Sequence, residues 1–366
     1  MRPPTPPPAS GPRSAAAFAL VLALGFVGTL LNPALLHRPQ ASVRDGGWAR
    51  AYQAGIDAGS PLRPPAAALW NALDLALFRQ APAGVVLGAD GWLFSDEEYA
   101  PSADPEAARA AWSAHVAAVG ARLAADGVHL LVALVPTKAS LVDAGQPPLP
   151  SAAAARYDQA LADLSALGVD AVDLRPALAA LGADAWLRTD THWTPAGAAA
   201  AAAALAARLR AVDAALAGSA AARLEPLGVS PHEGDLVGLL ELGPLRAWVG
   251  PEPDRLELSR LVRPPATGGD LFATVTLPVA VVGTSYAADP RWSLAERLEA
   301  ALGVEVLDAA QVGVGPTRPM AAFLSGPAYR SSRPRAVVWE IPERNLNDPE
   351  APAAGAAVAQ WAMVRP

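Results

Sequence analysis

"PVAVVGTSYAADPRWSLAERL", Pro278 to Leu298, reads as a strand, a turn and a helix in direct succession. Val279 to Val282 form a continuous apolar run, the pattern of a strand covered on both faces rather than one. Gly283 permits a tight turn. Ser285 then stands between strand and helix, where a side chain is exposed at the sheet edge beside free backbone N–H groups. The helix is expected to begin near Arg291 or Trp292. Gly-Thr-Ser-Tyr-Ala departs from the G-x-S-x-G nucleophile turn at its last glycine, and Thr284 and Ser285 read equally well as ordinary turn residues.

Working outward, the same kind of apolar run recurs at "VHLLVALV" (128–135), "DAVDL" (170–174), "VEVLDA" (304–309) and "AVVWEI" (336–341). Between them lie helical segments at about 105–126 and 152–166, and a helix opened by Thr194 as N-cap and Pro195 at its first position. Leu205, Leu209, Val212 and Leu216 share one face of that helix, and Gly218 is its expected stop. Short apolar strands alternating with helices specify a mostly parallel sheet covered on both sides. Such sheets carry their sites at the carboxyl ends of the strands. Chemistry is therefore sought at Pro136–Lys138, Gly283–Tyr286, Gly313–Gly315 and Glu340–Asn345. "GVVLGADGWLF" (84–94) adds a hairpin around Asp90-Gly91.

Composition narrows the class. The chain has 366 residues, 52% of them hydrophobic and 17% charged, with a formal charge of −7. That balance excludes a disordered chain and argues against a nucleic-acid partner. Of the 28 basic residues only Lys138 is a lysine, so arginine is too common to mark phosphate chemistry. No cysteine is present, which excludes disulfides and thiolate catalysis. The first 44 residues contain Arg2, Arg13, Arg38 and Arg44 and no acidic residue. Within them "SAAAFALVLALGFVGTLL" (14–31) is uncharged and, as a helix, reaches roughly 27 Å, near the ~30 Å of a bilayer core. No A-x-A-like site follows; Pro33, Leu35, Leu36 and His37 do. The expectation is an uncleaved signal anchor over residues 1–37, with its basic end in the cytoplasm, against the alternative of a cleaved signal peptide. Residues 38–83, rich in Arg, Pro, Gly and Ala with one helical stretch at "AALWNALDLALF", read as a stalk. Residues 84–366 read as the catalytic domain.

"RTDTHWTPAG" (188–197) supplies the acid–base candidates. Of five histidines, His192 alone follows a carboxylate by two positions and precedes a helix start. In extended chain such residues share a side, so Asp190 can orient His192 and fix its tautomer. A D-x-H alone also reads as a loop-ordering pair. Joined to Ser285 it gives Asp, His and Ser in that chain order, which geometry permits. A rival metal site would use Asp190, His192, His232, Glu233 and Asp235, but their spacing matches no zinc pattern.

Taken together, "RTDTHWTPAGA", "VVLGADGWLF", "VPTK", "HEGDL", "VVGTSY" and "VVWEIPERNL" resemble the alginate O-acetyltransferase AlgJ/AlgX-like family, periplasmic relatives of SGNH hydrolases. The resemblance runs from about Gly84 to Leu346 and is closest to the anchored, single-domain AlgJ type. It implies a flavodoxin-like three-layer α/β/α sandwich with permuted motif order, and Asp190, His192 and Ser285 as a catalytic triad. It implies acetyl transfer through an acetyl-serine to hydroxyls of an exported polysaccharide, with no cofactor or metal. It also implies a membrane-bound O-acyltransferase partner that supplies the acetyl group, at the inner membrane with the catalytic domain in the periplasm. Oxyanion or substrate contacts are expected from Gly313 or Gly315, Arg344 or Asn345, and Tyr286. Trp193 is read as a sugar platform or a core residue, and Lys138 as a pocket neighbour or a solvated loop lysine. A carbohydrate acetylesterase with the same triad and a non-catalytic export scaffold are the alternatives.

Overall fold

The computed structural model describes residues 12–31, 40–218, 222–264, 277–331 and 333–347. Its contacts divide the chain into two units, Met1–Pro82 with Leu240–Gly250, and Ala83–Leu239 with Pro251–Pro366.

Among the described residues the second unit holds nine strands: β1 Val85–Leu87, β2 Leu93–Ser95, β3 His129–Val135, β4 Asp170–Asp173, β5 Arg223–His232, β6 Asp254–Val262, β7 Val279–Val282, β8 Val306–Asp308 and β9 Ala336–Pro342. Five of them form one sheet in the order β4-β3-β9-β7-β8. Every pairing in it is parallel, as continuous apolar runs require. Counted from β7 as the first strand and returning through β3, the order is 2-1-3-4-5, the flavodoxin-like winding, here entered at a different point of the chain. The switch point of that winding lies between β7 and β9.

Side chains alternate across this sheet. Leu131, Ala133 and Val135 face one layer, where Ala198, Ala201 and Leu205 of the helix Pro195–Val212 pack on them. Leu130, Val132 and Leu134 face the other, against Trp112, Val116 and Val119 of the helix Pro105–Ala125. Each fully buried aliphatic contributes about 1.5–3 kcal/mol, so two covered faces supply the bulk of the stabilisation. The architecture is the three-layer α/β/α sandwich the apolar runs require.

Several local expectations change. The helix behind Thr194 ends at Val212, not Gly218, because Asp213 turns the chain and its side chain accepts from Ala215 N–H to cap a 3-10 turn at Ala214–Leu216. Ser285 itself opens a short helix, Ser285–Ala288, and the longer one starts at Leu294 behind the N-cap Ser293. The β1–β2 hairpin is present, with Asp90 and Gly91 both at positive φ (51° and 77°). An antiparallel ribbon, β5–β6, has no counterpart in the apolar pattern.

In the first unit, the segment read as a stalk with one helix holds two, Gly47–Gly59 and Arg63–Leu73, the latter continuing into a wider turn at Asp74–Phe78. Leu240–Gly250 joins it, with Asn71 Nδ2 donating to the Leu240 carbonyl at 3.2 Å. A helix spans Pro12–Leu30. Among the described residues no helix is long and apolar enough to cross a membrane. The cleavage question at 33–37 lies outside the described residues.

Candidate active site

The carboxyl end of β7 delivers Ser285, the candidate nucleophile. Gly283 ends the strand, and a Cβ there would lie 2.5 Å from Glu340 Oε2, so only glycine lets β9 come this close. Glu340, fully buried on β9, accepts from the Thr284 N–H at 2.6 Å and the Thr284 hydroxyl at 2.9 Å. Thr284 in turn caps the helix turn that Ser285 begins. Burial raises the Glu340 carboxyl to about 7, against the lowering effect of its bonds from Thr284. Ser285 is half-buried, its side chain set at the sheet edge.

The acid–base pair arrives on the loop between β4 and the Pro195 helix. Trp186 and Trp193 bridge across the base of that loop, and Leu187 N–H donates to the His192 carbonyl at 3.1 Å. At its tip, His192 Nδ1 lies 2.6 Å from Asp190 Oδ1, which also accepts the His192 backbone N–H at 3.0 Å. On the other side of the ring, Nε2 lies 2.7 Å from Ser285 Oγ. A carboxylate only accepts, so Nδ1 carries the proton and Nε2 presents its lone pair to the serine hydroxyl. Ser, His and Asp thus form one hydrogen-bonded line. Trp292 stacks on the imidazole, 4.9 Å between centroids at 27°, and fixes its plane.

The second oxygen of Asp190 is also committed. Oδ2 faces His232 Nε2 at 2.8 Å and accepts the Asp235 N–H at 3.1 Å. Burial pushes this carboxyl up, but the bonds from His192 and His232 outweigh it and hold Asp190 well below the usual carboxylate range. Asp190 is the anion of the site at any working pH.

Three further groups grip the loop. Asp254 on β6 accepts the N–H groups of Arg188 at 3.0 Å and Thr189 at 2.9 Å, and the Thr189 hydroxyl at 2.6 Å. Asp235 accepts the N–H of Thr191 at 2.8 Å and its hydroxyl at 2.5 Å. Lys138, fully buried, donates to the carbonyls of Leu93, Leu187 (3.1 Å) and Asp190 (2.8 Å). Burial lowers its ammonium to about 8, opposed mainly by the charge of Glu98, so it is still a cation at neutral pH. Gly234 admits this packing, since a Cβ there would meet the Thr189 carbonyl at 2.0 Å.

Several anticipated contacts take other roles. Lys138 is neither solvated nor a pocket wall; it is an internal cation under the Asp190 loop. Trp193 has no exposed surface and donates its Nε1–H to the Tyr286 carbonyl at 3.0 Å, so it belongs to the core and offers no face to a sugar. Tyr286 is buried and donates its hydroxyl to the Thr191 carbonyl at 2.5 Å, bracing the His192 loop. Arg344 lies half-buried with its guanidinium 5.5 Å from the Tyr286 ring, and Asn345 follows in the 3-10 turn after β9. Gly313 (φ 77°) and Gly315 (φ 70°) shape the loop after β8, which Gln311 ties to the Gly283 carbonyl at 3.0 Å.

Of the rival metal set, Asp190, His192 and Asp235 bring ligand atoms within 4.8 Å of one another. In this arrangement Nδ1 donates to Asp190, and both Asp235 oxygens accept from Thr191. Glu233 is exposed and outside this group. His232 therefore serves the site as a partner of Asp190, a role that its spacing in the chain does not reveal.

Comparison with known proteins gives the family. Residues 85–343 match the family described as SGNH hydrolase-like domain, acetyltransferase AlgX. A probable alginate O-acetylase AlgJ of Azotobacter vinelandii is 37% identical over 343 residues, covering 89% of this chain and 88% of the relative. The same-named protein of Pseudomonas putida is 38% identical over 316 residues, covering 84% of this chain and 82% of that one. The solved O-acetyltransferase domain of Pseudomonas putida AlgJ superposes with a TM-score of 0.66 at 37% identity, covering 72% of this chain and 93% of that one. Pseudomonas aeruginosa AlgX, at 20% identity and a TM-score of 0.56, over 72% of this chain and 67% of its own, shares the fold. The chain belongs to the SGNH hydrolase-like acetyltransferase family typified by AlgX and AlgJ.

Proposed function

We propose that this O-acetyltransferase works through an acetyl-serine at Ser285 and delivers the acetyl group to hydroxyls of an exported, alginate-like polysaccharide. One observation carries the reading: Ser285 Oγ, His192 and Asp190 are joined by contacts of 2.7 and 2.6 Å. His192 Nε2 takes the hydroxyl proton as Oγ attacks the acetyl carbonyl of the donor. The tetrahedral adduct collapses, and the donor's leaving group departs with the proton held on Nε2. A sugar hydroxyl then gives its proton to Nε2 and attacks the acetyl-serine, and Ser285 leaves by recovering that proton. Asp190 stabilises the imidazolium at each transfer. The oxyanion faces the N–H of Ser285 at the head of its turn, and Gly313, Gly315, Arg344 and Asn345 are the candidates for a second contact; one such donor is worth on the order of 10²–10³ in rate.

The acetyl group is supplied by a membrane-bound O-acyltransferase, and residues 14–31 anchor the chain in the inner membrane with the catalytic unit in the periplasm. The uncharged run and the arginine-only flank support this placement. Carbonate extraction of membranes and protease access to spheroplasts test it; release by carbonate, or protection from the protease, refutes it.

The chemistry is tested by mixing the protein with an activated acetyl ester and uronate or neutral oligosaccharides, and reading acetylated sugar against free acetate. Wild type acetylates the oligosaccharide and Ser285→Ala does not. Wild-type transfer by Ser285→Ala refutes the mechanism. Release of acetate alone, with every acceptor, makes the protein an esterase.

A further inference from the structure

The base of the β5–β6 ribbon holds a second histidine against the acid–base pair. His232 and Asp254 are register partners at its end, and both reach the loop that carries Asp190. We propose that His232, locked by Arg291, is a positioning residue for acetyl transfer: it fixes the Asp190 carboxylate so that one oxygen always faces His192. The inference rests on the Ser285–His192–Asp190 reading above.

The proton positions follow from the donors present. Arg291 Nη1 lies 2.8 Å from His232 Nδ1, and a guanidinium only donates. Nδ1 is therefore the acceptor, and the ring proton sits on Nε2, pointing at Asp190 Oδ2. The bond from Arg291 thus selects the nitrogen that serves Asp190, and the Nε2–H holds Oδ2 while Oδ1 serves His192. Without the Nε2–H bond, Oδ2 loses a buried donor and the carboxylate gains freedom to rotate about its last torsion, which is broad and two-fold.

Arg291 is fixed by the segment that carries the nucleophile. Its Nε and Nη2 grip Asp289 at 2.8 and 2.5 Å, and its guanidinium lies 4.8 Å from the Trp292 ring. Trp292 stacks on His192, meets His232 edge-on at 6.2 Å, and donates Nε1–H to the Ser285 carbonyl at 3.1 Å. The turn after Ser285 thus aligns the nucleophile and the orienting acid together.

The test uses the full chain. His232→Leu removes both bonds; His232→Gln keeps an oxygen for Arg291 and an N–H for Asp190. In His232→Leu, kcat and the rate of Ser285 sulfonylation by phenylmethylsulfonyl fluoride fall roughly ten- to a hundred-fold, the range for outer partners of a functional imidazole, while acceptor KM stays unchanged. His232→Gln recovers most of that loss. Long-range ¹H–¹⁵N correlation of the five histidines, with His232 assigned by its loss in the Gln variant, shows its proton on Nε2 with Nδ1 accepting in wild type and the loss of that pattern in Arg291→Ala. Wild-type sulfonylation by His232→Leu, or a His232 whose Nδ1 rather than Nε2 carries the ring proton, overturns the inference. If His232→Leu does not fold, the tautomer measurement decides alone. Ser285→Ala separates the two levels: if it is active, the triad reading falls, and if it is dead while His232→Leu is normal, only this inference does.

Discussion

Glu340→Gln should make the protein's stability less sensitive to pH, by an amount the burial of this carboxyl fixes. Glu340 sits on β9 with no exposed surface, and Oε1 has no hydrogen-bond partner among the described residues. Burial raises its titration from 4.5 to about 7, although the Thr284 N–H and hydroxyl pull the other way. Between those values the folded protein keeps a proton that the unfolded chain has released. Stability therefore declines as pH rises from about 4.5 and the loss is complete once pH passes about 7. At 1.36 kcal/mol per pH unit the decline from this group reaches about 3 kcal/mol. Glutamine has no proton to release and still offers an oxygen to Thr284. Relative to wild type, the variant should gain about 3 kcal/mol between pH 4.5 and 8. At roughly 2–4 °C per kcal/mol for a unit of this size, that is a widening of about 6–12 °C in the difference of melting temperatures. Glu343, which burial also raises to about 7, is present in both proteins and cancels. Urea titrations at pH 4.5, 5.5, 6.5 and 8 measure the difference directly. Parallel wild-type and variant curves across that window would refute the reasoning.

Lys138→Met leaves the buried carbonyls of Leu93, Leu187 and Asp190 without their donor and should cost about 3 kcal/mol or more in urea unfolding, with acetylation falling because the Asp190 loop loosens. Gly283→Ala puts a Cβ 2.5 Å from Glu340 Oε2 and 2.7 Å from its Cβ; about 1–3 kcal/mol of stability and most of kcat should be lost, with acceptor KM little changed. Asp190→Asn presents an amide N–H or a neutral oxygen to His192 Nδ1, releasing the tautomer, and should lower kcat by about 10³–10⁴ with the fold intact by circular dichroism.

How far these groups were legible from the chain follows from their distance along it. β3, β7 and β9 announce themselves because both faces are buried and the runs are almost wholly apolar, with His129 opening β3 and Glu340 the one charge in β9. Thr194-Pro195 marks its helix start by local chemistry, and its side chain does accept from Gly197. Ser285 and the Asp190–His192 pair are readable as a strand-end serine and a spaced acid–base pair. The grip on them is not. His232 is 42 positions from Asp190, and Asp254 is 65 from Thr189. Both lie on a ribbon whose β5 contains Pro226 and Pro231 and is largely exposed, so it lacks the alternation that marks a half-buried strand. Glu340 reads as the polar residue of an apolar strand. Its burial under Thr284 depends on β7 and β9 being neighbours, which no local pattern specifies. Lys138 reads as a loop lysine because its three acceptors are backbone carbonyls, which have no sequence signature.

The winding of the sheet explains why so many groups hold one loop. Asp190 and His192 follow β4, at the edge of the sheet, whereas Ser285 follows β7, three strands away. At about 4.8 Å per strand, the loop must reach roughly 14 Å across the carboxyl ends of β3 and β9. A loop crossing a sheet edge has no strand partner along its path, yet here its tip is buried and its backbone groups need donors and acceptors. Lys138, just beyond β3, supplies donors from the sheet side, and Tyr286, beyond β7, supplies its hydroxyl. Asp254 and His232 close the loop from the ribbon. The permuted chain order thus leaves the triad geometry unchanged. It makes that geometry depend on a bridge between distant strands, and a buried ammonium, which would be an odd choice in an apolar core, is what two inward-facing carbonyls on that bridge and one on β2 require.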